Sequence, residues 1–211
     1  MALVTAQQIK AFLKITSSMD DALFGDLADR ASAVAESYCD RHFALTSYDP
    51  AGDPDNALLD GKDLPVVYTP QWPITAVTAL KLVQEGNNGD IQVFGATQFA
   101  VQRDEGRITL LASAVLQTAT RGEVARPVFP RGVQNVAVTY SAGYAAVPFD
   151  MQEAVIFIAA HIYGLADQRR LMAQSIAVGG GGVGGTSTFK ISDMPDEARA
   201  RLDRYKSVVP R

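Results

Sequence analysis

Residues 138–164 read VTYSAGYAAVPFDMQEAVIFIAAHIYG. A β-like segment gives way to a glycine turn, then to a proline, then to a long apolar helix. Gly143 permits the backbone reversal that ends a strand, here Val133–Tyr140, and Pro148 presets the entry to the helix that follows. Gly143, Tyr144 and Pro148 are therefore the structural turn, and Ser141 is a turn residue. Downstream, Ala154, Val155, Ile156, Phe157, Ile158, Ala159, Ala160, Ile162 and Tyr163 are apolar on nearly every side of a helix, whereas a monomer's surface helix carries one apolar stripe. Such a helix has to be covered all round, and neighbouring subunits are the obvious supplement. Val155, Ile158 and Ile162 are the candidates for packing in an oligomer.

The same stretch raises a catalytic alternative, a serine hydrolase using Ser141. Thr139 to Gly143 would be a GxSxG nucleophile elbow if position 139 were glycine, but it is threonine, and Pro148 delays the helix that should follow the serine at once. Asp150 and His161 lie on one helix, while a hydrolase brings acid and base from later strand ends. The reading is non-enzymatic. Cys39, His42 and His161 are too few for a structural zinc site. Asp53 and Asp55 start like a calcium loop, but Ala57 and Leu58 stand where a ligand and a glycine belong. VGGGGVGG lacks the lysine of a phosphate loop. No cofactor or metal is expected.

Working outward, Thr5 with Gln8 fits a capping box, and Ile9, Phe12 and Leu13 give a short first helix its apolar stripe. Asp20 can cap a second helix, reaching about Asp40, with Leu23, Leu27, Ala31, Val34 and Tyr38 on one face. Its other face carries Asp26, Asp29, Arg30 and Glu36. Residues 47–63, rich in Asp, Pro and Gly, read as loop with a short strand at Ala57–Leu59. Short β-branched runs at Val66–Tyr68, Ala76–Val83, Asp90–Phe94, Gln98–Gln102 and Arg107–Leu111, separated by turn residues, read as antiparallel hairpins. Gly179, Gly180, Gly181 and Gly182 form a flexible hinge, and Pro195 opens a last helix with Ala198, Leu202 and Tyr205 on one face.

The chain is 211 residues long, has a formal charge of −4 and contains one cysteine, which excludes an internal disulfide framework. Its basic residues are dispersed, without the footprint of a protein that grips phosphates. The most apolar run, Ala154–Ala166, is shorter than the roughly 20 residues a membrane helix needs, and the N-terminus lacks a signal-peptide pattern.

Three segments together resemble the head-to-tail connector (adaptor) family of long-tailed bacteriophages and gene transfer agents: DDALFGDLADRASAVAESYCDRHF (20–43), VQNVAVTYSAGYAAVPFDMQEAVIFIAAHIYG (133–164) and MPDEARARLDRYK (194–206). The shared pattern is a two-helix start ending in Tyr38 and Arg41, a strand ending in YxAGY (Tyr140, Gly143, Tyr144), a proline before an alanine-rich helix, and a terminal helix with arginines and tyrosine. The resemblance covers the helical parts and departs over 47–132, where the β-branched runs stand; together they give the expected fold, α+β, a helical bundle (N-terminal helix pair, long central apolar helix, C-terminal helix) with an inserted antiparallel β-hairpin sheet. The expected organisation is N-terminal helices over 1–46, an inserted β region over 47–132, strand-turn-helix over 133–170, a Gly-rich linker over 171–194 and a C-terminal helix or arm over 195–211.

The implied function is that of a structural virion protein at the capsid vertex or neck, present in the host cytoplasm during assembly. It would form a homo-oligomeric ring, a dodecamer in the particle, under the portal protein, where it extends the DNA channel. The ring would offer a platform to a downstream neck, stopper or tail protein, while double-stranded DNA passes without sequence-specific binding. Arg201, Arg204 and Tyr205 are the portal-contact candidates. Another oligomeric head-completion or tail-terminator component is the alternative.

Overall fold

The computed structural model describes residues 2–18, 20–84, 89–114, 127–175 and 194–206, and the side chains of all of these except 166–175. The chain divides into two units, one formed by 1–40 with 147–206 and the other by 41–146 with 207–211.

The first unit is helical. Its α1 (Ala6–Leu13) opens on the expected box, in which the Thr5 hydroxyl accepts from the Gln8 N–H and the Gln8 side chain accepts from the Thr5 N–H. In α2 (Asp21–Cys39) the buried face is Phe24, Leu27, Ala28, Ala31, Ala35 and Cys39, while Leu23 is 47% exposed. That corrects the expected stripe by one position: both registers satisfy helical periodicity, and the Phe24 ring buries more apolar surface than Leu23 could. Asp20 precedes the helix without a side-chain cap bond, and Asp40 ends it in the left-handed conformation. α4 (Phe149–Ser175) and α5 (Asp196–Leu202) complete the unit. The Phe24 and Tyr163 rings lie 5.5 Å apart, so the start of α2 meets the middle of α4.

The second unit is built of antiparallel sheets and the short α3 (Pro54–Ala57). Its larger sheet contains β1 (Thr46–Tyr48), β2 (Leu58–Gly61), β4 (Ile74–Val83), β5 (Asp90–Phe94) and β8 (Gly132–Ala142). Its smaller sheet orders β3 (Val66–Tyr68), β7 (Arg107–Leu110) and β6 (Phe99–Gln102). β8 is the spine: β1 pairs along Tyr140–Ala142, β2 along Gly132–Ala137, and β4 along Val136–Ala142. Side chains alternate across a strand, so Leu80, Leu82, Phe94, Val136, Val138 and Tyr140 share one face and pack with Val67, Ile108 and Leu110 of the smaller sheet. Tyr48 stacks on Tyr140 at 5.1 Å, and the buried Tyr140 hydroxyl donates to the Asn56 carbonyl. Burial pushes that phenol's pKa well above its usual value.

A helical bundle with a small inserted hairpin sheet is therefore not the fold. The chain is mixed α/β, with five α-helices and antiparallel sheets of five and three strands among the described residues. No central helix enclosed on all sides occurs there. Among the described side chains of the helix after the turn, only Met151, Ala154, Val155, Ile158 and Ala159 are completely buried. The expected last strand also proves longer, and it belongs to the sheet rather than to a helical core. The loop reading of 47–63 conceals β1 and α3, while its short strand at Ala57–Leu59 corresponds to β2; both strands are held by pairing to β8 rather than by their own propensity.

Candidate functional site

The turn between β8 and α4 is assembled from backbone groups. Gly143 sits at φ 111°, and a Cβ there would lie 2.4 Å from the Ala44 carbonyl oxygen, so glycine is required on both counts. Its N–H donates to the Pro73 carbonyl at 3.0 Å, and the Tyr144 N–H donates to the Phe43 carbonyl at 2.8 Å. Buried Arg41 locks the same region. Its guanidinium lies 3.5 Å from the Trp72 ring centroid, 5.0 Å from Phe43 and 5.9 Å from Tyr144, and it donates to the Trp72 carbonyl. The planar cation is well suited to such stacking. In the sequence Arg41 stands out only as part of the helix-end pattern, because an arginine and aromatics at these separations carry no local signal of contact.

Ser141 is not a turn residue. It lies within β8, opposite Ser47 of β1, with the two hydroxyl oxygens 3.0 Å apart. A second serine is no general base, so this pair lacks the activation that a nucleophile needs. Among the described residues no three His, Cys, Asp or Glu side chains could hold a metal ion, and no helix is long and apolar enough to cross a membrane.

In the helical unit, Pro148 stands at the entry to α4, where its carbonyl accepts from the N–H groups of Met151 and Gln152 at 3.1 and 3.0 Å. Val155 and Ile158 are completely buried within their own unit, whereas Ile162 is half-buried. Beyond Ala159, each of residues 160–165 keeps intermediate exposure. Phe149, at the helix start, is 86% exposed.

The three C-terminal candidates fall at one end of this unit. Arg201 pairs with Glu153 at 3.2 Å and lies over the Phe157 ring at 4.9 Å. The Tyr205 hydroxyl donates to both Asp150 oxygens, at 2.8 and 2.7 Å, and Arg204 is exposed. Beside them the Tyr38 hydroxyl donates to Asp203 at 2.7 Å, and Lys206 lies 3.2 Å from Asp203 and 3.9 Å from the Tyr38 ring centroid. The Tyr38 bond first, then Lys206, lowers the Asp203 pKa; the Tyr38 bond, with Asp203, raises that of Lys206. The terminal helix is thus tied to α4 through Tyr205 and to α2 through Asp203, and the latter contact has no sequence signature. Gly179, Gly180, Gly181 and Gly182 lie outside the described residues.

No curated protein matches the chain significantly. Among solved structures it is similar to a chain in the neck of an empty gene transfer agent (GTA) particle computed with C6 symmetry. There the TM-score is 0.55 and the identity 20%, covering 99% of this chain and 91% of that one. It is also similar to a chain in the neck of the native GTA particle computed with C12 symmetry (TM-score 0.52, 20% identity, covering 97% and 91%). A chain of the native GTA virion gives a TM-score of 0.53 at 18% identity, covering 99% and 91%. At these identities the likeness establishes the fold. The family model for head completion proteins matches residues 2–208, nearly the whole length. The chain belongs to the head completion protein family.

Proposed function

We propose that copies of this chain close into a ring under the portal, extend the DNA channel there, and present a platform to the next neck, stopper or tail protein. The observation that carries the reading is the middle of α4. Residues 154–163 are apolar on nearly every side of the helix, yet residues 160–165 have no fully buried face, which leaves Ile162 for another subunit to cover. Val155 and Ile158 serve the ring indirectly, by fixing the helix in its own unit. The C6 and C12 symmetries used for the similar GTA necks support a ring, and twelve copies in the particle.

Arg201, Arg204 and Tyr205, at the docked C-terminal turn, are proposed to face the portal. A net charge of −4 suits a channel through which DNA slides, since a basic lining would bind phosphates and retard it. The test is to mix the purified protein with its portal and measure the mass of the complex. A portal plus about twelve chains is expected from the C12 case, and an Ile162→Asp protein, folded but absent from the complex, would agree. A wild-type chain that stays monomeric beside the portal would overturn the reading.

A further inference from the structure

The C-terminal segment sits on the first unit as a peptide sits in a groove. Met194, Ala198 and Leu202 recur every four residues and are buried, so one face of the segment supplies its anchors. A polar rim surrounds them: Asp203 accepts from Tyr38 of α2, while Arg201 pairs with Glu153 and Tyr205 donates to Asp150, both at the start of α4. Between the anchors and α2, the Cys39 thiol donates to the Leu202 carbonyl at 3.6 Å. An apolar centre within a polar rim is the anatomy of an interface between chains. The seven residues of α5 fall short of the roughly 12 that an isolated helix needs, so the seat holds the helix in shape.

The chain reaches this seat from far away. Tyr205 lies at Asp150, and Arg201 lies at Glu153 and Phe157, so α5 runs antiparallel to α4 and its first residue, Asp196, stands near the middle of that helix. From there to Ser175, where α4 ends, is about 20 Å at 1.5 Å per residue. The residues numbered 176–194 join these points, and extended they would span about 60 Å. That is three times the distance within one chain. Two touching units of this size have centres about 35 Å apart, so the same length of chain reaches the seat of an adjacent copy.

We propose that in the assembled ring the Met194–Tyr205 segment of each copy occupies the α2–α4 seat of the next. The proposal rests on the ring reading above and names what links its members. The seat fixes the chemistry of its occupant: anchors four residues apart, an arginine for Glu153, a tyrosine for Asp150 and an acid for Tyr38. A second copy supplies that same segment, and the exchange creates no new surface. Each copy gives a segment on one side and receives one on the other, a heterologous contact of the type that closes into rings. Once copies are gathered on the portal, their segments stand at high local concentration around each seat.

The test uses the full chain with the photoreactive amino acid p-benzoylphenylalanine in place of Tyr205, prepared both unlabelled and nitrogen-15 labelled. Equal amounts are mixed, assembled with the portal, irradiated and digested, and the crosslinked peptides around Asp150 are weighed. Exchange gives as many light–heavy pairs as like pairs, while the same mixture irradiated as dilute chains without portal gives like pairs alone. The same probe in place of Lys206, which lies over the Tyr38 ring, reads the α2 side of the seat and covers the case in which losing Tyr205 empties it. Portal complexes of full ring mass that yield only like pairs, or no crosslink to the seat from either probe, sink the exchange and leave the ring standing. A wild-type chain that adds no ring mass to the portal sinks the ring itself.

Discussion

At position 143 the backbone, not the side chain, decides the residue. A Cβ would enter the Ala44 carbonyl, whose position is fixed because Phe43 and Tyr144 are bonded through their own backbones. Gly143→Ala should therefore cost roughly 1–3 kcal/mol, the range for a residue held in a disallowed conformation, and lower the denaturant midpoint of the full-length protein without changing its helix content. Single residues were legible in the sequence where the signal is local. Thr5 with Gln8, Gly143 and Pro148 each obey rules spanning a few positions. Leu23 was misplaced because periodicity defines a stripe only to within a residue, and the choice between Leu23 and Phe24 is made by what lies opposite, here Tyr163. The stacking of Arg41 on Trp72 joins residues 31 apart and had no local trace.

Along α4, two isoleucines one turn apart have different jobs. Ile158 is completely buried, so Ile158→Asp places an unpaired charge in the core of its unit and should cost roughly 3–5 kcal/mol. That variant should lose helical circular dichroism or aggregate before any question of assembly arises. Ile162→Asp, at a half-buried position, should keep the thermal midpoint within a few degrees and lose portal binding. Equal destabilisation by the two substitutions would refute the distinction. The element's apolar character was legible, but its covering was not, because composition cannot say which of several apolar faces finds a partner in the same chain.

The docking of α5 has its own pH signature. Asp203 is lowered in the folded chain by Tyr38 and Lys206, so it stabilises the docked turn above the ordinary carboxylate value, roughly 3.9, and this support is lost as pH falls through the lower folded value. Lys206 is raised, so its share is complete below the ordinary lysine value and disappears as pH rises through the higher folded one. The protection of amides in Asp196–Tyr205, relative to their intrinsic exchange rate, should therefore fall as the solution is taken below about pH 4. Tyr38→Phe should already show much of that loss of protection at neutral pH, and unchanged protection there would count against the Tyr38–Asp203 tie.

On the scale of the whole molecule, residues 41–146 form a continuous segment with a hydrophobic core drawn from both sheets. Expressed alone, that segment should give a β-type circular dichroism spectrum and one cooperative unfolding transition; a featureless, non-cooperative fragment would show that its core needs the remainder of the chain. The sequence pattern announced most of these strands, through β-branched runs between turn residues. It did not announce their weight in the fold. β1 contributes three residues, too few to stand out from an Asp- and Gly-rich stretch, and β2, foreshadowed by the strand at Ala57–Leu59, only four, yet they complete one side of β8 and turn a set of hairpins into a five-stranded sheet. The kinship to virion head–tail proteins was legible for a different reason: three separated segments in the right order carry more information than any one of them, and the head completion family assignment spans all three.

The placement of β8 has a mechanical side. The strand ends at Ala142, shortly before the helical unit begins at Val147. Its bonds to β1, β2 and β4 cross the strand's axis, so a pull along that axis loads the whole eleven-residue ladder in shear instead of opening one pair at a time, and the strand yields only at the force needed to slide it whole.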